Sequence, residues 1–240
     1  MTKNDFNQNN KYEEELINTY EDNFIFSNKP IDRFYISKND VSEKITDKAK
    51  QLSELKKKIS SIQDCNLNID TSDPILGSGN LDSSIMIIGE APGLEESKAD
   101  LPFQGESGAL LKKMFHAINV DLKRVYLSYS INFRTPEDRK PTSQEIKRYS
   151  VFMKEHISII NPKLLILMGS TAMESVTGTK IKISNARGKW KEIILKNITY
   201  PIMVTFRPSY LIRFPENKKY SWVDLKNIKK KIQDLNIKTS

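Results

Sequence analysis

The chain has 240 residues, of which 38% are hydrophobic and 28% charged, an ordinary globular composition that excludes collagen-like, fibrous and wholly disordered classes. Its longest unbroken aliphatic stretch, 164–168, is far short of the ~20 apolar residues that a bilayer-spanning helix needs, and its single cysteine, Cys65, has no internal disulfide partner. A net charge of +8 favours polyanionic partners, and a first segment without an apolar signal-peptide core favours a cytoplasmic location.

Residues 1–64 contain two polar helical patterns, 11–20 and 41–62, separated by Asn28-Lys29-Pro30, and read as a peripheral N-terminal extension. Residues 65–240 read as the main domain. Turn signals at Asp73-Pro74 and Gly77-Ser78-Gly79-Asn80 precede the compact apolar run 85–88, a buried strand that ends in glycine. A helix follows over 106–118, then a second strand over 125–131 and a loop rich in Pro and charge. Thr142-Ser143-Gln144-Glu145 is a capping box that opens a helix to about residue 160. Strands are expected at 164–168 and 202–206. A last amphipathic helix over 216–235 carries Trp222, Leu225, Ile228 and Ile232 on one side. From 217 to 240 there are seven Lys against two Asp, which makes this end an expected electrostatic footprint. His116 and His156 fall on helices, as surface or partly buried residues.

Short apolar strands alternating with helices imply β-α-β units and a three-layer α/β/α sandwich around a parallel sheet. Ligands of such sheets bind beyond the carboxyl ends of the strands, so the loops after Ile88, Ile131, Met168 and Phe206 hold the candidate chemistry. The first reads Gly89-Glu90-Ala91-Pro92-Gly93. It lacks the Gly-Lys-Ser/Thr ending of a phosphate loop, and Pro92 removes a backbone donor. A rigid turn of this kind fixes Glu90 at a strand terminus, and Phe103, among small residues, offers a flat stacking surface.

The segments GEAPGLEESKADLPFQG, NFRTPEDRKPTSQEI and TFRPSYLIRFPENKKYSW occur in this order, and with them the chain resembles family 4 of the uracil-DNA glycosylases, over about 65–237. The N-terminal segment resembles the extension of alphaproteobacterial members. The resemblance implies a uracil-DNA glycosylase fold with a four-stranded parallel sheet, and hydrolysis of the N-glycosidic bond of deoxyuridine in DNA, a base-excision repair activity. Such chemistry requires a flipped base held against an aromatic ring, and charge-stabilising groups placed before charge develops. By resemblance, Glu90 positions water, Phe103 stacks on uracil and the backbone near Ala91 lines the pocket. Ser209, Leu211 and Arg213 belong to a loop that enters the minor groove, with Leu211 as an apolar wedge and Arg213 on a phosphate. Arg187-Gly188 matches a family arginine-glycine pair, and the resemblance implies that Arg187 and Arg139 contact DNA as well.

Several positions depart from the family pattern. Arg207 stands where the family has histidine; it donates hydrogen bonds but exchanges no proton near neutral pH. Tyr129 replaces an asparagine that reads uracil, and one phenol oxygen offers less than an amide. Asp138, beside Arg139, replaces another asparagine and needs Arg139 or Lys140 to screen it. Typical members ligate a 4Fe–4S cluster through four cysteines, whereas the positions of the two later ligands are Phe133 and Tyr149, so no metal and no cofactor are expected. The expected protein is a monomeric, DNA-binding glycosylase of uracil-containing DNA that needs no membrane. A catalytically impaired DNA-binding relative and a glycosylase for another deaminated base are the alternatives, because of Arg207 and Tyr129.

Overall fold

The computed structural model describes residues 38–62, 67 and 73–239, with side chains from residue 47 onward. The expected helix over 11–20 and Cys65 lie outside the described residues. Helix α1 (Lys38–Ser60) leads to strand β1 (Gly77–Gly79) and strand β2 (Ile85–Gly89), and then to helices α2 (Leu94–Ala99) and α3 (Gly105–His116). Strand β3 (Tyr126–Tyr129), helix α4 (Ser143–Ile160), strand β4 (Leu164–Met168) and helices α5 (Ser170–Thr177) and α6 (Ile183–Ala186) come next. Strands β5 (Trp190–Leu195) and β6 (Ile198–Thr205) and helices α7 (Pro208–Arg213) and α8 (Lys218–Asp234) complete the order.

The sheet runs β1-β3-β2-β4-β6-β5. Its four central strands are mutually parallel, as the alternation of strands and helices implies, while β1 and β5 add antiparallel edges. These edges escape sequence reading for local reasons. A Gly-Ser-Gly strand carries a turn composition, and β5 has no buried residue, its short apolar end Ile193-Ile194-Leu195 following Lys191-Glu192. The turn between β5 and β6 holds Lys196 and Asn197 at φ 47° and 63°, the pair of positive φ values of a type I′ hairpin.

Both faces of the sheet are covered because successive strand residues point to opposite sides. Ile85 and Ile87, with Leu164, Ile166 and Met168, pack beneath Leu111 and Phe115 of α3 and Leu225 and Ile228 of α8. Met86 and Ile88, with Leu165 and Leu167, pack beneath Tyr149 and Met153 of α4 and Met173 of α5. Leu52, Leu55 and Ile59 of α1 are buried in this second cluster, so the expectation that this helix is peripheral is corrected over its described side chains. Lys48 fastens it further, donating to Asp82 at 2.8 Å and to the Ile160 carbonyl at 3.1 Å.

Helix α4 begins as its capping box requires. Thr142 Oγ1 accepts from Glu145 N at 3.2 Å and Glu145 Oε2 accepts from Thr142 N at 2.7 Å. The buried side of α8 is Ser221, Asp224, Leu225, Ile228 and Ile232. Trp222, assigned to that side from sequence, is 45% exposed, and the buried carboxylate of Asp224 takes its place. His156 is likewise fully enclosed rather than superficial, with Nε2 3.0 Å from Tyr126 Oη and Nδ1 3.3 Å from Ser128 Oγ.

Burial holds the His156 imidazole well below its ordinary value, at about 3. The unfolded chain therefore takes up a proton near pH 6.5 that the folded chain refuses until about pH 3, and stability falls as pH drops through that window. The melting temperature of His156→Gln, which keeps hydrogen-bonding capacity without the titration, should fall less than the parent's between pH 7 and pH 4.

Candidate active site

Because β3, β2, β4 and β6 are parallel, their carboxyl ends lie side by side, and the loops that follow them enclose a cavity of about 250 Å³. That is just below the ~300 Å³ at which pockets for drug-sized ligands begin, the scale of a single base. Glu90, the residue after β2, lies in its wall with Ala91, Phe103 and Tyr129, and Arg207 closes it from the end of β6. The four side chains Glu90, Phe103, Tyr129 and Arg207, drawn from three separate segments, therefore meet at one place. Asp138, Arg139, Ser209 and Arg213 also line the cavity.

The carboxylate of Glu90 is held on both oxygens. Arg207 Nη1 donates to Oε1, and Thr171 Oγ1, from α5, donates to Oε2 at 2.5 Å. The pair is partly withdrawn from water, with the Glu90 and Arg207 side chains 15% and 35% exposed. Burial, and then the charge of Arg213, lower the Arg207 pKa, from so high an ordinary value that the guanidinium keeps its proton near neutral pH.

A second network fixes the aromatic wall. The rings of Phe103 and Tyr129 stack with centroids 4.9 Å apart and planes at 28°. Tyr129 Oη accepts from Phe103 N at 2.9 Å and donates to Glu96 Oε1 at 3.3 Å. Burial, reinforced by the Glu96 charge, pushes the Tyr129 phenol far above its ordinary range. Glu96 also accepts from Gly93 N at 3.0 Å and Gln104 N at 3.1 Å. Phe103 sits at φ 55°, a left-handed conformation that a non-glycine residue keeps only when its surroundings impose it. A Cβ at Gly89 would lie 2.7 Å from the Tyr129 ring and 2.9 Å from Phe103, so the strand end must be glycine for the rings to approach it.

Other expected site residues are placed differently. Leu211 is 1% exposed and packs in the core with α3 and α8, so it is not the surface wedge expected of it; its side chain stabilises the loop from within. Arg187 lies outside this cavity and forms a bidentate pair with the buried Asp224, through Nε at 3.0 Å and Nη2 at 2.5 Å, besides donating to the Tyr220 carbonyl. Asp138 is neutralised by Arg134, at 2.7 and 3.0 Å, rather than by its neighbours, and Arg139 is paired with Glu145 at 2.6 and 2.9 Å. Asn132, three residues beyond Tyr129, supplies no amide to the cavity, since it donates to the Ile75 carbonyl at 3.0 Å. Helix α8 runs from Asp224, beside Thr205 at the carboxyl end of β6, toward Ile237 and Lys238, beside Ser83 and Ser84 ahead of β2. Its Lys229–Lys231 run is thus carried away from the cavity, and the nearer cations are Lys140 and Arg213.

The family model for the uracil-DNA glycosylase superfamily matches residues 76–229. This chain belongs to that superfamily. It is 34% identical to the type-4 uracil-DNA glycosylase of Thermotoga maritima over 155 residues, 64% of this chain and 79% of that one. It is 30% identical to the type-4 enzyme of Sulfurisphaera tokodaii over 186 residues, 74% and 83% of the two chains, and 25% identical to that of Archaeoglobus fulgidus over 181 residues, 74% and 91%.

The iron–sulfur cluster implied by the family-4 resemblance does not fit the residues of this superfamily member. Phe133 and Tyr149, at two ligand positions, are 1% and 0% exposed and pack edge to face, with centroids 6.2 Å apart. Neither supplies a thiolate, and their rings fill the space as core. Three further residues of the site region escape motif reading. Glu96 is signalled only by a Gly-x-x-Glu start to α2, where an N3 glutamate meets a free backbone N–H. Asp224 is signalled by an acid inside an apolar helix stripe. Thr171 has no signal in the sequence.

The partly buried bond from Phe103 N to Tyr129 predicts that Tyr129→Phe, which removes the acceptor of that donor, lowers unfolding free energy by about 1 kcal/mol in urea titration.

Proposed function

We propose that this member of the superfamily is a DNA glycosylase that hydrolyses the N-glycosidic bond of deoxyuridine in DNA, the first step of base-excision repair. The observation that carries the proposal is the contact between Glu90 and Arg207 inside a base-sized cavity floored by Phe103. When the C1′–N1 bond breaks, its electron pair leaves with the base, so the sugar becomes positive and uracil negative. Water then adds to C1′ and loses a proton. A carboxylate and a guanidinium fixed side by side present the complementary charges before the reaction starts. Glu90 faces the sugar or orients the water, and Arg207 donates to uracil O2. Because Arg207 keeps its proton, the base leaves as a stabilised anion. Phe103 stacks on the flipped base beside Ala91, and Arg139, Ser209 and Arg213 meet the phosphates at the rim. The protein acts as a monomer on uracil-containing DNA in the cytoplasm. The names of its relatives, type-4 uracil-DNA glycosylases, support the same reading.

One observation favours a second reading. The Tyr129 hydroxyl is already engaged by Phe103 N and Glu96, so no amide reads the Watson–Crick edge at this position. That arrangement suits a glycosylase for another deaminated base, or a DNA-binding relative of low activity.

The test is alkaline cleavage of single-stranded and duplex oligonucleotides that carry one deoxyuridine, hypoxanthine or xanthine. Deoxyuridine strands should be cut after treatment with the protein, and Glu90→Gln should reduce the rate by at least about 100-fold while DNA binding persists. Cutting confined to hypoxanthine or xanthine selects the other-base reading, and bound but uncut DNA selects the impaired relative.

A further inference from the structure

A second, larger cavity of about 720 Å³ adjoins the base pocket, within the ~300–1,000 Å³ range of ligand sites. The two share Lys140, and α7 separates them. Chain geometry makes α7 a partition. Extended backbone at Arg207 sends Phe206 into the second cavity and Arg207 into the first, and on the helix Tyr210 faces the second while Ser209 and Arg213, four apart, face the first.

The second cavity combines aromatic faces with unneutralised cations. Phe206 and Tyr210 stack with centroids 4.9 Å apart and planes at 22°, and Phe214 continues the row 5.0 Å from Tyr210, 41% exposed. Tyr220 closes the opposite side, with the Arg187 guanidinium 5.4 Å from its ring centroid. Lys140 and Lys180 donate to serine hydroxyls, at 3.2 and 3.1 Å, and Lys182 stands exposed beside them. Among the described residues none of these three lysines forms an ion pair, and Glu174 is the one acid in the lining.

Stacking faces beside ammonium groups that no carboxylate neutralises suit a nucleotide whose base is unpaired, because a duplex hides its base faces while its phosphates stay accessible. We propose that this cavity is a second base-binding subsite that takes an unstacked nucleotide of single-stranded DNA, continuous with the strand whose target base occupies the first cavity. Its ligand class rests on the DNA-glycosylase reading. The base lies on the Tyr210 and Tyr220 side chains and the phosphates on Lys180 and Lys182, while Lys140 spans the two cavities. The consequence is a preference for single-stranded DNA that is independent of uracil.

The experiment is fluorescence anisotropy of the full chain with a uracil-free, thymine-rich oligonucleotide and with its duplex, over a salt titration. Tyr210→Ala should weaken single-strand binding by about 5- to 100-fold and leave duplex affinity within about twofold. Lys180→Ala with Lys182→Ala, on exposed side chains that folding does not need, should flatten the single-strand salt dependence by about 1.4 in log–log slope. Thermal melting confirms that each variant folds, and the lysine pair stands if Tyr210→Ala does not. Equal weakening for both DNA forms, or no weakening for either, would overturn the subsite and leave the glycosylase reading intact. A parent that binds no DNA of any form would overturn both.

Discussion

The contact of Glu90 with Arg207 and Thr171 is the constraint that gathers the site. Glu90 follows β2, Thr171 lies in the helix after β4 and Arg207 follows β6, three neighbours in the sheet order. One carboxylate thus ties together the loops beyond three adjacent parallel strands. Loops are the mobile part of an α/β domain, and a partly buried ion pair is screened less by salt than an exposed one. The same contact that fixes the loop geometry also sets two opposite charges side by side in the cavity wall.

The aromatic wall is held by a different device. Tyr129 is buried under Phe103, and its hydroxyl joins the Phe103 amide to the Glu96 carboxylate. The two networks meet at the end of β2, where Gly89 contacts the ring pair and Glu90 the ion pair. The cavity wall there presents stacked aromatic rings beside fixed charge, with the Tyr129 hydroxyl already engaged.

Much of this was legible in the sequence where a single physical cause dominates. The runs 85–88 and 164–168 are buried on both faces and have to be central strands, and the Thr142-to-Glu145 box marks the start of α4. Convergence of Glu90, Phe103, Tyr129 and Arg207 followed from motif order and the rule that function sits at the carboxyl ends of parallel strands. What was not legible depends on long-range geometry. Leu211 reads as an exposed wedge until the packing of α7 turns it inward, and Arg187 reads as a DNA contact until Asp224, 37 residues away, pairs with it. The lysines of α8 show the same limit: composition counts charge but does not say toward which end of the sheet a helix carries it.

The central claim is that Glu90 and Arg207 act as one unit in base excision. The most direct measurement is a double-mutant cycle on single-turnover release of uracil, comparing the parent, Glu90→Gln, Arg207→Ala and the combined variant. The account predicts that the combined loss is well short of the product of the single losses, because removing either partner already dismantles the charge pair. Losses that multiply independently, or a parent that releases no uracil, would contradict it.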